Sequence, residues 1–322
     1  MTYREIVLTA VGGPEHFAAR QATRPPLANG FIRVRNNATG VNFIDIYQRK
    51  GLYPISVPAV LGQEGAGSVE EAAGAPFHKG DRVAYLSGAG AYAEETLVDA
   101  GRAALIPPGV SDDVAAAGFL KGLTALMLLR QVFPLASGQT ALVTAAAGGV
   151  GSLLTQWAMH LGARVIAVVG GAEKVAAAKS NGAADVIDRN ITSDTAGAVR
   201  ALTGGRGVDV VYDSVGAATF DSSLDSLALR GMMVSYGNAS GPVPPIAPLE
   251  LTRRGSLSLA RPSLFHYATP DRLPAMAKAV FSLIADGVLK PTIAARLPLE
   301  KASDAHRLLE GGRTIGAIIL TP

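Results

Sequence analysis

Two stretches of this chain hold residue types that can do chemistry, and the richer is Thr140-Ala-Leu-Val-Thr-Ala-Ala-Ala-Gly-Gly-Val-Gly151. Apolar, strand-favouring residues run into a glycine cluster, and beyond it Val150, Leu153, Leu154, Trp157, Ala158 and Leu161 keep helical spacing. The stretch reads as strand, tight turn and helix. Having no Cβ, Gly148 and Gly149 let the backbone approach a pyrophosphate, and Gly151 lets the helix lie near the strand. The first helical turn, with Ala147 and Val150, offers unpaired N–H groups and the positive end of its dipole to phosphate. Ala146 stands where G-x-G-x-x-G has its first glycine, so the turn alone does not separate a ligand loop from a structural bend. Context does: Arg164-Val-Ile-Ala-Val-Val169 follows as a second buried strand and completes the βαβ unit that a dinucleotide site requires.

The end of that second strand selects the dinucleotide. An NAD site places Asp or Glu there to grip the ribose 2′-OH. Here the strand runs into Gly170, Gly171 and Ala172, and Glu173 falls beyond it, where the next helix opens. Glycine leaves room for a 2′-phosphate and Lys174 supplies charge, so NADPH is the expected cofactor. A solvated lysine on a helix face is the plainer account of Lys174. It would carry more weight if an acid were present.

The second stretch, Ala38 to Pro54, breaks a strand rhythm and crowds Asn42, Asp45, Tyr47 and Tyr53 into a short helix and loop. Polar groups on an irregular segment mark a pocket. The same residues also suit a bland role, with Asn42 and Asp45 capping backbone and the tyrosines packing with hydroxyls outward. The pattern leaves these two readings open.

These stretches need elements to hold them. Tyr3–Leu8, Gly30–Arg35, Gly80–Tyr85 and Ala91–Val98 read as short strands between glycine and proline, which gives a mostly β region up to about residue 110. Ser111 caps a helix that continues through Lys121 to Leu129. Further strands at Ala184–Ile187, Val208–Tyr212, Met232–Tyr236 and Ser256–Ala260 alternate with helical stretches, making six with the first two. Such alternation means a doubly wound parallel sheet, whose ligands bind beyond the carboxyl ends of its strands. Asp213, Ser214, Tyr236, Gly237, Asn238, Arg261 and Ser263 lie there. The chain closes with a helix opened by Thr269-Pro270 and ended by Gly287, a second helix at Leu299–Leu309, and a strand at Thr314–Leu320.

Composition narrows the chemistry. The 322 residues suit two joined domains, and 48% hydrophobic against 17% charged residues allows substantial cores. Without cysteine there is no thiolate nucleophile, disulfide or thiolate metal site, so redox chemistry must come from a bound cofactor. The five histidines, His16, His78, His160, His266 and His306, are dispersed without H-x-x-x-H pairing, and no metal is expected. The start lacks the form of a signal peptide and no apolar run is long enough for a bilayer span, which makes a cytoplasmic protein the expectation. The net charge is +3, and the pI near 9.2 comes without a basic run. Arg253-Arg254 is the tight basic pair of the second half, so scattered solvated charge accounts for the pI better than nucleic acid does.

Taken in order, V-N-F-I-D-x-Y-x-x-x-G-L-Y-P from Val41, L-G-x-E-x-A-G-x-V from Leu61, G-D-R-V, F-L-K-G-L-T, A-A-A-G-G-V-G, V-Y-D-S-V-G, G-N-x-S-G and R-P-S-L form one set. With it the whole chain resembles the zinc-free quinone oxidoreductases of the medium-chain dehydrogenase/reductase superfamily, the group that includes zeta-crystallin. The resemblance implies an α/β chain: a GroES-like, mostly β catalytic domain at 1–122 and 264–322, and a Rossmann NADPH-binding domain at 123–263, with cofactor in the cleft between them. It implies that Asn42, Tyr53 and Thr124 serve the nicotinamide and ribose, and that Asp45 and Tyr47 shape the acceptor pocket. Lys174 serves the 2′-phosphate, joined by Arg189 where many relatives have tyrosine. Tyr236 stands where some relatives have phenylalanine. Zinc-dependent relatives carry a cysteine near Asn42, G-H-E where this chain has Gly62-Gln63-Glu64, and a four-cysteine loop absent here. A homodimer paired through the last sheet strand is also implied.

The expected activity is hydride transfer from NADPH to a quinone. Reduction of the C=C bond of an enone or enoyl thioester uses the same geometry, and a non-catalytic, crystallin-like nucleotide binder that touches RNA is the rival from another class. Tyr47 and Tyr53 are the candidate proton donors, although solvent would suffice.

Overall fold

Leu142, Val143, Ile166, Ala167, Val210 and Val211 are almost wholly buried, as strands covered on both faces must be. They belong to a six-stranded parallel sheet ordered Asp185–Asp188, Arg164–Val169, Thr140–Thr144, Val208–Asp213, Leu227–Ser235 and Ser258–Ala260. Sequence neighbours run outward from the glycine-turn strand in both directions, which is the expected doubly wound topology. Leu142, Ile166, Val199, Val211, Phe220 and Met233 join one core between sheet and helices. The helix Gly149–His160 covers the sheet with Leu153, Leu154, Trp157 and Ala158.

The computed structural model describes all residues, 1–322. They form two compact units: Thr124–Tyr267, which holds this sheet, and Met1–Leu123 with Ala268–Pro322. The nucleotide-sheet unit ends in the short helix Leu264–Tyr267, with Leu264 buried.

The other unit is mostly β. A seven-stranded sheet runs Ile293–Pro298, Ala317–Thr321, Phe31–Val41, Glu64–Ala73, Arg82–Leu86 and Ala103–Leu105, with Glu95–Asp99 also paired to Phe31–Val41. A three-stranded sheet adds Phe17–Thr23, Thr2–Leu8 and Ala59–Val60. Two expectations need correction. Ala38–Val41 is strand, not the start of the irregular segment, since Ala38, Thr39 and Gly40 pair with Ala66, Gly65 and Glu64. The helix expected from Thr269-Pro270 begins at Leu273 instead, opened by Pro274 in its first turn. The strand Ile293–Pro298 is an element beyond those expected, at a sheet edge where its closing proline is tolerated.

Residues 112–123 of the helix Asp112–Leu126 are held tightly within the β unit. Ser111 Oγ accepts from Val114 N at 3.3 Å, which is its cap. A Cβ on Gly118 would fall 2.6 Å from Pro291, and one on Gly122 2.5 Å from Val280. Phe119 stacks on Phe281 at 5.4 Å, so one face of the helix is locked against Leu273–Ala285.

Candidate functional site

In the nucleotide-sheet unit, the glycine turn adopts the geometry that its sequence calls for. Thr140–Thr144 leads into Ala145, which takes the left-handed region with φ 48°, and the helix starts at Gly149. Gly148, the N-cap, has no side chain to offer, so the first N–H groups of the helix are not capped by one. Gly148 N donates to Ala145 O at 2.9 Å and Ser152 N to Gly148 O at 2.9 Å, closing the bend. A Cβ on Gly151 would clash with Ala145 O and lie 2.8 Å from Ala146 Cα, while one on Gly148 would meet only Ala145 O at 3.2 Å. Gly151 thus serves helix-to-strand packing, and Gly148 keeps the outer side of the bend bare. Ala147 is buried and Val150 half-buried beside them.

At the tip of Arg164–Val169 stand Gly170 and Gly171, with no carboxylate from that strand. Arg189 lies over Gly170: a Cβ there would be 3.0 Å from Arg189 Nε. Lys174 sits in the first turn of the helix Ala172–Ser180. Its ammonium is held below the usual lysine range, first by partial burial and then by the charge of Arg189. Two cations near enough to repel each other therefore stand beside these glycines.

The remaining strand ends are braced from within. Asp213 is fully buried and accepts from Val215 N at 2.8 Å, Gly216 N at 2.9 Å, Thr219 Oγ1 at 2.6 Å and Ser223 Oγ at 2.7 Å. It shapes the loop and has no capacity to spare. Ser214 N donates to Thr144 Oγ1 at 3.1 Å, bringing that loop beside the glycine-turn strand. A Cβ on Gly237 would strike Ser214 O. Arg261 Nη1 donates to Ser235 O at 2.9 Å and to Gly237 O at 3.1 Å. With its amide turned so that oxygen faces Arg261, Asn238 accepts from Arg261 Nη2 at 2.9 Å. Tyr236 is half-buried, its N–H donating to Asp213 O at 2.8 Å, and Ser263 is exposed at the start of Leu264–Tyr267. Ser214, Tyr236, Gly237, Asn238 and Arg261 therefore gather in one place. Thr124 is 8% exposed in the helix Asp112–Leu126.

In the β unit, Asn42 precedes the helix Phe43–Arg49 and is clamped from two sides by buried carboxylates. Its N–H donates to Asp45 Oδ2 at 2.8 Å, and its Nδ2 donates to Glu64 Oε1 at 2.9 Å. Glu64 is fully buried and also accepts from Leu120 N at 2.8 Å and from Lys121 Nζ at 2.6 Å. Gly40 has no Cβ because Glu64 occupies that space. Tyr47 is 7% exposed, with its ring edge-on to Tyr53 at 5.3 Å and tilted against Phe43 at 6.0 Å.

Of the two roles open to Asp45, its 0% exposure and the bond it accepts from Asn42 N support the helix cap. Behind it lies a network that sequence reasoning missed. Tyr92 Oη donates to Asp45 Oδ2 at 3.0 Å and lies 3.0 Å from His306 Nε2, which must then carry the proton and donate. Asp45 Oδ1 and His306 Nδ1 have no partner. Burial pushes Asp45 up to about 7, against the opposing bonds from Asn42 and Tyr92. Burial, assisted by the charge of Arg49, takes His306 down to about 3.

The signs of these shifts give a prediction. The Asp45 value is raised above the ordinary 3.8, so its stabilisation is complete below about pH 4 and is lost as pH rises to about 7. His306 is lowered, so its contribution is complete above 6.5 and is lost as pH falls towards 3. The two slopes oppose each other in the parent, and Asp45→Asn removes one. Thermal melting from about pH 5 to about pH 8 should show the parent losing stability relative to Asp45→Asn as pH rises. A difference independent of pH would mean that Asp45 stays ionised throughout.

No three His, Asp or Glu side chains are grouped so as to hold a metal ion. Gln63, at the position of the G-H-E histidine, is 1% exposed and commits its amide to Gly88 O and to Gln48 Oε1. The basic pair is neutralised, with Arg253 on Glu250 and Arg254 on Asp221 and Asp225.

Residues 28–108 match the family model for the alcohol dehydrogenase GroES-like domain, and residues 149–282 match that for zinc-binding dehydrogenase. A quinone oxidoreductase of Pseudomonas aeruginosa is 44% identical over 99% of both chains. A 2-haloacrylate reductase of a Burkholderia species is 42% identical over 98% of both. The solved structure of Escherichia coli quinone oxidoreductase complexed with NADPH superposes with a TM-score of 0.96 at 43% identity, covering 99% of this chain and 100% of that one. With likeness sustained over nearly its full length and both units, the chain belongs to the quinone oxidoreductase family of the medium-chain dehydrogenase/reductase superfamily.

Proposed function

We propose that the chain is an NADPH-dependent quinone oxidoreductase that works without a metal ion. The observation that carries this reading is the pairing of a bare glycine bend with two neighbouring cations, Lys174 and Arg189, at a strand tip that lacks its own carboxylate. Bound NADPH supplies a hydride to an electron-poor acceptor. The N–H groups from Gly148 to Val150 bind the pyrophosphate, and Lys174 with Arg189 binds the 2′-phosphate through charge-assisted bonds. Ser214, Tyr236, Gly237, Asn238, Arg261 and Ser263 shape the remaining nucleotide surface. Asn42, Tyr53 and Thr124 orient the nicotinamide and ribose, and Tyr47 adjoins the acceptor. Asn42 and Gln63 stand where zinc-dependent relatives have ligands, yet their amides are engaged with Glu64, Gly88 and Gln48 and are poor metal donors.

The 42% identity with a 2-haloacrylate reductase favours one second reading, the reduction of an activated C=C bond. Steady-state rates with NADPH and a panel of quinones and enones, in the presence of a chelator, distinguish the two. Quinone turnover unaffected by chelation is expected. Efficient enone turnover beside negligible quinone turnover establishes the second reading, and activity that vanishes on chelation and returns with zinc overturns the metal-free mechanism.

We place the protein in the cytoplasm as a homodimer. No helix is long and apolar enough to cross a membrane. The edge strand Ser258–Ala260 presents Leu259, 37% exposed, for pairing with a second copy. Light scattering reads the dimer, and a monomer at micromolar concentration removes it.

A further inference from the structure

We infer that Asp188 is a positioning residue for cofactor choice, one side-chain oxygen holding together the two backbone turns that present Lys174 and Arg189. The inference rests on the nucleotide reading above and adds to it a residue that would not touch the cofactor.

The strand Asp185–Asp188 lies parallel to Arg164–Val169, with Asp188 opposite Val169, so the two tips end level. Asp188 Oδ1 accepts from Gly171 N at 2.9 Å and from Asn190 N at 2.9 Å. The first bond fixes the Lys174 side. Gly171, with φ 95°, opens the helix Ala172–Ser180, and its carbonyl accepts from Lys174 N and Val175 N, each at 3.1 Å. The second bond fixes the Arg189 side, because it closes the turn directly after that residue, whose own N–H donates to Val169 O at 2.9 Å. Arg189 is thereby kept over Gly170, where an added Cβ would lie a tight 3.0 Å from its Nε.

Such a tie is needed because the arrangement opposes itself. Two like charges held close disfavour each other, and Lys174 feels Arg189. Arg189 is exposed and long, so a slack turn would let its guanidinium swing into solvent. The two N–H bonds hold Asp188 below the usual carboxylate range, so it stays charged while they occupy the oxygen that makes the tie. A cofactor with a 2′-phosphate depends on both cations, whereas one with a free 2′-OH does not.

The test is binding of NADPH and of NADH, read by nucleotide fluorescence without turnover, with thermal melting as the control for folding. Asp188→Ala should raise the Kd for NADPH about tenfold, the worth of one charge-assisted bond, and that for NADH less than about twofold. Asp188→Asn keeps an oxygen acceptor and should bind NADPH within about threefold of the parent. Equal weakening of both cofactors by Asp188→Ala, unchanged NADPH affinity, or an Asn variant as damaged as the Ala variant each overturns the inference. Lys174→Ala tests the underlying reading separately: if it weakens NADPH no more than NADH, the phosphate site itself is misplaced and the role of Asp188 falls with it. If Lys174→Ala is selective and Asp188→Ala is not, only the role of Asp188 falls.

Discussion

Replacing Lys121 with methionine should destabilise the protein by about 3 kcal/mol or more, because it leaves a buried carboxylate without its cation. Glu64 is fully buried and Lys121 is 4% exposed, with Nζ 2.6 Å from Oε1. The attraction between two such charges only roughly offsets the cost of taking them out of water, so the pair is weak evidence for stability in itself. Losing one member is a different matter, since the survivor keeps its desolvation cost. Two neutral donors, Leu120 N and Asn42 Nδ2, continue to serve Glu64 in the variant and soften the loss without cancelling it. The double variant Lys121→Met with Glu64→Gln is therefore the informative partner. The two donors serve different oxygens of Glu64, so the glutamine amide oxygen keeps one of these bonds and loses the other, but the side chain carries no charge and should recover part of the lost stability. Denaturant midpoints for the two singles and the double, followed by circular dichroism, check this. A silent Lys121→Met, or a double as unstable as the single, would mean that the ion pair is not what holds Glu64 in place.

That pair was poorly legible in the sequence, and the reason is instructive. Lys121 sits among Phe119, Leu120 and Leu123 in a helical run, and its partner lies 57 residues away on a strand. A lone cation inside an apolar helical stretch was the available signal, but no local pattern names the acid that answers it. The same holds for Tyr92 and His306, which are 214 residues apart. Periodicity and punctuation served far better where the determinants are local. The glycine bend, the parallel strands that follow it and the level tip at Gly170 and Gly171 all rest on residues close in sequence. Asp45 shows where local reading stops: a carboxylate three residues after Asn42 suits a pocket and a helix cap equally, and its burial supports the cap. Arg189 is visible in the sequence as a charge after the third strand, whereas the bonds that Asp188 accepts from the N–H groups of Gly171 and Asn190 are displayed by no residue pattern.

The glycine bend gives the other large effect, and it tests separately the two roles that the sequence assigns to Gly148 and to Gly151. Gly151→Ala should cost about 1 to 3 kcal/mol of stability, the usual range for overpacking a well-filled interior. It should also weaken NADPH at least tenfold, equivalent to about 1.4 kcal/mol of binding. The new methyl would strike Ala145 O and sit 2.8 Å from Ala146 Cα and 3.0 Å from Ala145 C, all of them backbone. Backbone cannot rotate aside as a side chain can, and Ala145 is already held at φ 48°, where an L residue is strained. The helix must therefore move away from the strand, carrying its first N–H groups off the phosphates. Gly148→Ala differs in kind, because its methyl would meet only Ala145 O at 3.2 Å and otherwise point away from the fold. That variant should melt close to the parent yet lose NADPH affinity, since the added carbon stands where the pyrophosphate must approach the backbone. Melting temperatures and NADPH titrations on both variants make the comparison. A Gly148→Ala protein that binds NADPH like the parent would show that no phosphate docks on this bend.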